Sequence, residues 1–157
     1  MVPTRSLLLA VLSVGPAAAA EFPETLLGWF IEPTGHNYSE RVDAAVAESP
    51  LNVVTRASAT VGAKSLGQNI PGNMVVGVFA PRFAIRSLAA GVAAGSEAPL
   101  RLYITENADG TATLSYKTAS HVFAPYAAEG GQELSALATE LDTTLQQVAE
   151  RATRQQD

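Results

Sequence analysis

The feature that most constrains the fold is a stripe of apolar side chains near the carboxyl end of the chain. From Glu133 onward, apolar residues recur at spacings of three and four: Leu134, Leu137, Leu141, Leu145, Val148 and Ala152. This period places them on one face of an α-helix. Such a helix must cover another layer of structure, because its stripe would otherwise stay in water. The rest of the chain must supply that layer, within one subunit by default or across a dimer.

Segments typical of strands and helices alternate ahead of this helix. The predicted strands cover residues 26–31, 51–56, 74–80, 100–105 and 111–116. Helices are predicted over residues 39–48 and from Pro81 to a stop at Gly95-Ser96, with one helical turn expected near 61–66. The order β-α-β-(α)-β-α-β-β-α predicts an α+β fold, a single compact domain with a mixed β-sheet and helices packed on it.

The last two predicted strands form the clearest hairpin in the chain. Residues 100–105 and 111–116 both alternate apolar and polar side chains. Between them lies Asn107-Ala108-Asp109-Gly110, a turn sequence in which Gly110 is free to adopt a positive φ.

The first twenty residues match a cleaved export signal. Arg5 gives the positively charged start, residues 6–14 form the apolar stretch, and residues 18–20 are alanines that a signal peptidase accepts. We expect cleavage before Glu21, a periplasmic location, and one domain over residues 21–157. The apolar stretch is shorter than the roughly 20 residues that a bilayer requires. No membrane insertion is therefore expected after cleavage.

Charge and cysteine content exclude several classes of function. The formal net charge is −5 at pH 7, and no basic stripe with interleaved aromatic residues occurs, so nucleic acid is not an expected partner. The chain has no cysteine, which removes disulfides, thiolate metal sites, covalent c-type haem attachment and cysteine nucleophiles. No nucleophile elbow, phosphate-binding loop or zinc-protease motif occurs, so catalysis is not expected.

Residues from about Thr34 to Tyr116 resemble a known family of small bacterial proteins. The matching segments are Gly35-His36-Asn37-Tyr38-Ser39-Glu40-Arg41-Val42, Val53-Val54-Thr55-Arg56, Val61-Gly62-Ala63, Gly77-Val78-Phe79-Ala80-Pro81, Ala98-Pro99-Leu100 and Leu114-Ser115-Tyr116. In their order and spacing they are similar to the family catalogued as domain of unknown function 302. The resemblance implies a compact α/β fold that tends to dimerise, and it brings no established catalytic residues.

The two histidines are the side chains best suited to hold a metal ion or haem in a chain without thiolates. His121 lies beside Val122 and Phe123 just after the hairpin, and His36 lies in the turn before the first helix. Axial haem ligation needs a neutral imidazole in an apolar slot. We therefore predict His121 and His36 as metal ligands. The predicted cofactor-binding residues are His121, His36, Phe123 and Tyr116. The alternative is that both histidines are surface or capping residues.

Three functions follow as hypotheses from these observations. The first is a periplasmic, homodimeric protein that binds a small flat ligand without catalysis, with haem as the sharpest candidate and His121 as its ligand. The second is an accessory or structural partner of a periplasmic redox or envelope complex, with no small ligand. The third is an enzyme that acts on a small metabolite, which requires a histidine or carboxylate with a shifted pKa in a pocket.

Overall fold

The computed structural model describes residues 26–31 and 38–154. The predicted export signal over residues 1–20 and the candidate ligand His36 lie outside the described residues. None of the described helices combines the length and the apolar character that crossing a bilayer requires.

Within these ranges the chain forms one open sheet of five strands. The strands are β1 (Leu26–Ile31), β2 (Asn52–Ala57), β3 (Asn73–Phe79), β4 (Leu100–Glu106) and β5 (Ala112–Lys117). They lie in the order β1-β5-β4-β3-β2, and every neighbouring pair is antiparallel. The predicted α+β class is confirmed.

The sheet is antiparallel throughout the described residues, whereas the alternation of strands and helices predicted a mixed sheet. Strands β1 and β2 do run in the same direction, because four successive antiparallel pairings separate them across the sheet. These two strands occupy opposite edges of the sheet, with β5, β4 and β3 between them. They therefore never pair, and no parallel ladder forms.

Five α-helices and two short 3₁₀ segments complete the described chain. The α-helices are α1 (Tyr38–Ala47), α2 (Ala59–Ser65), α3 (Pro81–Ala90), α4 (Ala119–Phe123) and α5 (Ala127–Thr153). One 3₁₀ segment (Ala93–Glu97), which we call the 3₁₀ turn, follows α3, and the other (Ala124–Tyr126) joins α4 to α5. Helices α1, α3 and α4 all pack against α5. The carboxyl-terminal helix is therefore the centre of the helical layer.

The helical layer covers one face of the sheet, which we call the inner face. Its buried sheet residues include Val76, Val78, Leu102, Ile104, Leu114 and Tyr116. They share one core with all six residues of the predicted α5 stripe. The prediction of an amphipathic helix that packs on another layer is confirmed. Full burial of each leucine of the stripe contributes about 1.5–3 kcal/mol.

Short polar caps define where the smaller helices begin. The Ser58 hydroxyl accepts a hydrogen bond from the Val61 amide at 3.4 Å and caps α2. The Thr118 hydroxyl accepts one from the His121 amide at 3.1 Å and caps α4. Pro81 occupies the first turn of α3, where its missing N–H costs no hydrogen bond.

The predicted hairpin between β4 and β5 is confirmed, and its turn is stabilised by side chains. Gly110 has a φ of 84°, a conformation that few other residues adopt without strain. The Thr111 hydroxyl donates a hydrogen bond of 2.6 Å to the Asp109 carboxylate, and the Thr111 amide donates one of 3.0 Å. These bonds favour the charged carboxylate and hold the pKa of Asp109 below its ordinary value.

Two elements differ from the sequence expectation around α4 and α5. No element was predicted between β5 and the carboxyl-terminal helix, but residues of this segment form α4, a helix of five residues. Helix α5 begins at Ala127, ahead of the predicted start, and it bends at Gly131, whose φ is 55°. The apolar period could not reveal these features, because α4 is too short to show a period and the segment before Gly131 carries few large apolar residues.

The outer face of β3 provides a test of this packing through Gly77. A Cβ added at Gly77 would lie 2.1 Å from Thr55 Oγ1 and 3.0 Å from Pro99 Cγ. Gly77→Ala is therefore expected to destabilise the domain by about 1–3 kcal/mol, the usual cost of overpacking. Chemical denaturation of the two proteins measures the difference.

Gly62→Ala is the matched control, because a Cβ at this position in α2 meets nothing within 4 Å. It should leave stability unchanged or raise it by about 0.5–1 kcal/mol through the better helix propensity of alanine. Equal effects of the two substitutions would contradict the close approach at Gly77.

Candidate functional site

Two concave surfaces lie on opposite sides of α4. The first is a groove of about 440 Å³ at the outer face of the sheet, which we call the sheet-face groove. The second is a cleft of about 290 Å³ between α3, the 3₁₀ turn and α4, which we call the helical cleft. The two differ in charge and polarity.

Strand register builds the floor of the sheet-face groove. Val75 of β3 pairs with Tyr103 of β4, which in turn pairs with Ser115 of β5. These three residues form one row across the outer face. The row gives the groove a largely apolar and aromatic floor, with one buried hydroxyl from Ser115.

Two cations stand next to each other beside this row. Arg101 lies two residues before Tyr103, and Lys117 lies two residues after Ser115, so the antiparallel register brings them to adjacent positions on the same face. Both side chains are exposed, and neither forms a salt bridge with another described residue. Like charges on neighbouring strands repel each other, so an anion bound between them would stabilise the pair.

The third basic side chain of the groove comes from α4. His121 is exposed on this helix and lines the groove together with Val122. The groove also contains one acid, Glu97, whose carboxylate accepts a hydrogen bond of 2.6 Å from the Tyr126 hydroxyl. Arg101, Lys117 and His121 therefore converge on one surface in a protein whose net charge is −5.

The structure separates the four predicted cofactor-binding residues. His121 and Tyr116 line the groove, although Tyr116 is only 2% exposed and belongs to the core. Phe123 is buried and lines the helical cleft instead. Residues 121 and 123 are two positions apart on a helix, which turns them about 200° away from each other. His36 lies outside the described residues.

Met74, a possible soft axial ligand to haem, does not lie in the groove. It pairs with Ile104 of β4, and its neighbour Val75 is the β3 residue that lines the groove. Successive side chains of a strand point to opposite faces, so Met74 lies on the opposite side of the sheet from His121. Among the described residues, no three His, Cys, Asp or Glu side chains form a group that could hold a metal ion.

The helical cleft has a neutral and mostly apolar lining. Its walls include Phe83, Leu88, Ala94, Leu100 and Phe123. The exception is Ser87 of α3, which is 5% exposed and whose hydroxyl has no hydrogen-bond partner. None of the described residues that line this cleft has a titratable side chain.

Ser120, the neighbour of His121, is hydrogen-bonded to a carboxylate of α5. The Ser120 hydroxyl donates a hydrogen bond to the Asp142 carboxylate, which also accepts the Ser120 amide at 3.2 Å. The bond from the amide satisfies a backbone N–H in the first turn of α4, which is a capping role, and both bonds fasten that turn to α5. Nucleophilic catalysis needs the hydroxyl bonded to a base such as histidine, and this serine is bonded to the carboxylate instead.

Three residues that give the two surfaces much of their chemistry, Arg101, Lys117 and Ser87, were not among the predicted site residues. Arg101 and Lys117 are equally distant from the centre of the hairpin turn, and this symmetry was the available signal that they become neighbours. Ser87 follows Phe83 by four residues, on the apolar face of a predicted helix. A serine on the apolar face of a helix predicts a buried hydroxyl.

The fold is a two-layer α+β domain with an antiparallel sheet, and comparison with known proteins agrees with this description. The model of a family described as domain of unknown function DUF302 matches residues 36–152. The chain belongs to this family, as the sequence motifs predicted. No curated protein matches the chain.

A solved structure from the same family has the same fold. It is a crystal structure of an uncharacterized conserved DUF302 protein from Bacillus stearothermophilus. The two chains align with a TM-score of 0.72 over 84% of this chain and all of the other, at 16% sequence identity. At this identity the likeness establishes the shared fold alone.

Proposed function

We propose that this domain binds a flat, anionic, amphiphilic small molecule in the sheet-face groove and carries out no catalysis on it. The observation that carries this proposal is the convergence of Arg101, Lys117 and His121 on one groove with an aromatic floor. The ligand's planar apolar body would lie over Tyr103 and Val75. Its carboxylate or phosphate would accept hydrogen bonds from the two strand cations.

Haem is the most specific candidate ligand within this class. Its flat macrocycle and two propionates match an apolar floor flanked by Arg101 and Lys117. The imidazole of His121 is the side chain in the groove that would ligate the iron. Bound haem would supply redox or gas-binding chemistry, while the residues of this chain would bind and orient it.

A titration with naphthalene-2-carboxylate tests the proposed groove with a simple flat anion. The double variant Arg101→Gln/Lys117→Gln removes both cations and leaves the floor intact. Each exposed ion pair contributes about 0.2–1 kcal/mol, so we expect affinity to fall about 2- to 30-fold. Isothermal titration calorimetry at low salt measures the loss, which should shrink at high salt because the interaction is screened.

The matched control is the double variant Lys64→Gln/Arg82→Gln. It makes the same change in net charge with residues that do not line the groove. Binding that weakens equally in both double variants would indicate a general effect of charge and would contradict the proposed site.

Hemin tests the narrower proposal. If His121 ligates the iron, adding hemin to the protein should give a low-spin absorption spectrum, with a second copy of the domain supplying the sixth ligand. His121→Ala should abolish that spectrum, and Lys64→Gln should preserve it. A spectrum that is unchanged in His121→Ala would remove haem ligation by this residue while leaving the anion site untouched.

The proposal includes export to the periplasm and assembly as a homodimer. Export rests on the sequence of residues 1–20. Dimerisation is supported by three apolar side chains on and just after α3: Ile85, Leu88 and Val92 are 67%, 50% and 74% exposed. Such side chains in a cluster mark interaction surfaces. The same observation favours the second candidate function, an accessory protein of a periplasmic redox or envelope complex.

Native mass spectrometry of protein exported from a haem- and metal-replete host separates these possibilities. We expect a dimer of chains that begin at Glu21, with added mass that matches a small ligand in each subunit. A bare species that associates stably with another envelope protein would favour the accessory role. A monomer that retains residues 1–20 would contradict both export and dimerisation.

A further inference from the structure

The helical cleft contains a polar atom that the fold leaves without a partner. Ser87 is more than nine-tenths buried, and its Oγ makes no hydrogen bond. Buried hydroxyls in folded proteins are nearly always hydrogen-bonded. A buried hydroxyl loses its hydrogen bonds to water, and this loss is unfavourable unless a protein group or a ligand replaces them. Ser87 is one of the residues that line a cleft with space for other atoms.

We propose that the helical cleft is a second binding site, specific for a small neutral molecule with an apolar body and one hydroxyl or carbonyl group. Ser87 recognises that group once a change of rotamer turns its hydroxyl toward the cleft. A serine hydroxyl both donates and accepts a hydrogen bond, so either functional group satisfies it. This site is independent of the anion-binding function proposed for the sheet-face groove.

The lining of the cleft selects for neutral ligands. Its walls come from apolar side chains such as Phe83, Leu100 and Phe123, and no titratable residue faces it. A charged ligand would lose its hydration there without gaining an ion pair, which is strongly unfavourable. The charged molecules suited to Arg101 and Lys117 are therefore excluded from this cleft.

The volume of the cleft limits the size of the ligand. A dry protein cavity of about 150 Å³ accommodates benzene. At about 290 Å³, the helical cleft has room for two fused aromatic rings or an aliphatic chain of similar volume. Leu88 lines the cleft and is half exposed, so the cleft opens beside the apolar cluster of α3 that is proposed for dimerisation.

Helix α4 keeps the two proposed sites apart. Its His121 lines the groove and its Phe123 lines the cleft. The two surfaces have in common Leu100 at the start of β4. Substitutions at Ser87 therefore test the cleft without changing any residue of the groove.

The experiment compares 2-naphthol with 2-methylnaphthalene, which has nearly the same shape but no hydroxyl. Both are titrated into the full-length protein and followed by their own fluorescence. The wild-type protein should bind 2-naphthol more tightly. In Ser87→Ala the affinity for 2-naphthol should fall about 2- to 12-fold, the effect of one hydrogen bond, while that for 2-methylnaphthalene should not fall.

Two further variants test whether binding changes through the cleft itself or through a general effect of substitution on the protein. Thr144→Val removes another buried hydroxyl, which is bonded to the Glu140 carbonyl at 2.9 Å and does not line the cleft. It should preserve the preference for 2-naphthol. Ala84→Leu adds bulk to the cleft wall and should weaken binding of both compounds at least fivefold.

Thermal unfolding shows that each variant is folded before binding is compared. Ser87→Ala should be at least as stable as the wild type, since it removes a hydroxyl that has no partner. Equal affinity of the wild type for the two compounds, or equal losses for both in Ser87→Ala, would overturn the assignment of Ser87. Unchanged binding of both compounds in Ala84→Leu would overturn the assignment of the cleft.

Discussion

The structure depends on the burial of one helix stripe against one face of one sheet. The apolar side of α5 and the inner face of β3, β4 and β5 form a single core, and α1, α3 and α4 are held through their contacts with α5. Since the chain has no cysteine, no disulfide supplements this burial. The polar contacts at the helix starts, such as that between Ser120 and Asp142, fix the position of elements that the core already holds.

Covering only one face leaves the outer face of the sheet available for function. An antiparallel sheet tolerates this arrangement, because its strands alternate apolar and polar side chains. The polar set on β4 and β5 contains Arg101, Tyr103, Ser115 and Lys117, and the register brings them together. The same alternation that builds the core therefore also builds the cationic groove.

Helix α4 contributes side chains to both concave surfaces although it has only five residues. One side adds His121 to a charged, open groove, and the other adds Phe123 to a neutral, apolar cleft. The two surfaces suit ligands of opposite character, one anionic and one uncharged. This member of the family thus presents two concave surfaces of different chemistry next to each other.

The sequence by itself determined the elements whose signals are local: the α5 stripe and the β4–β5 hairpin with Gly110. These depend on residues within a few positions of each other, where periodicity and turn chemistry act. It also gave the family and pointed to His121. Only the tertiary structure decided the strand order, the absence of a parallel pair among the described strands, and the separation of His121 from Phe123. The tertiary structure also decided that the hydroxyl of Ser87 has no hydrogen-bond partner. These features could not be predicted locally, because they depend on which distant segments of the chain pack together.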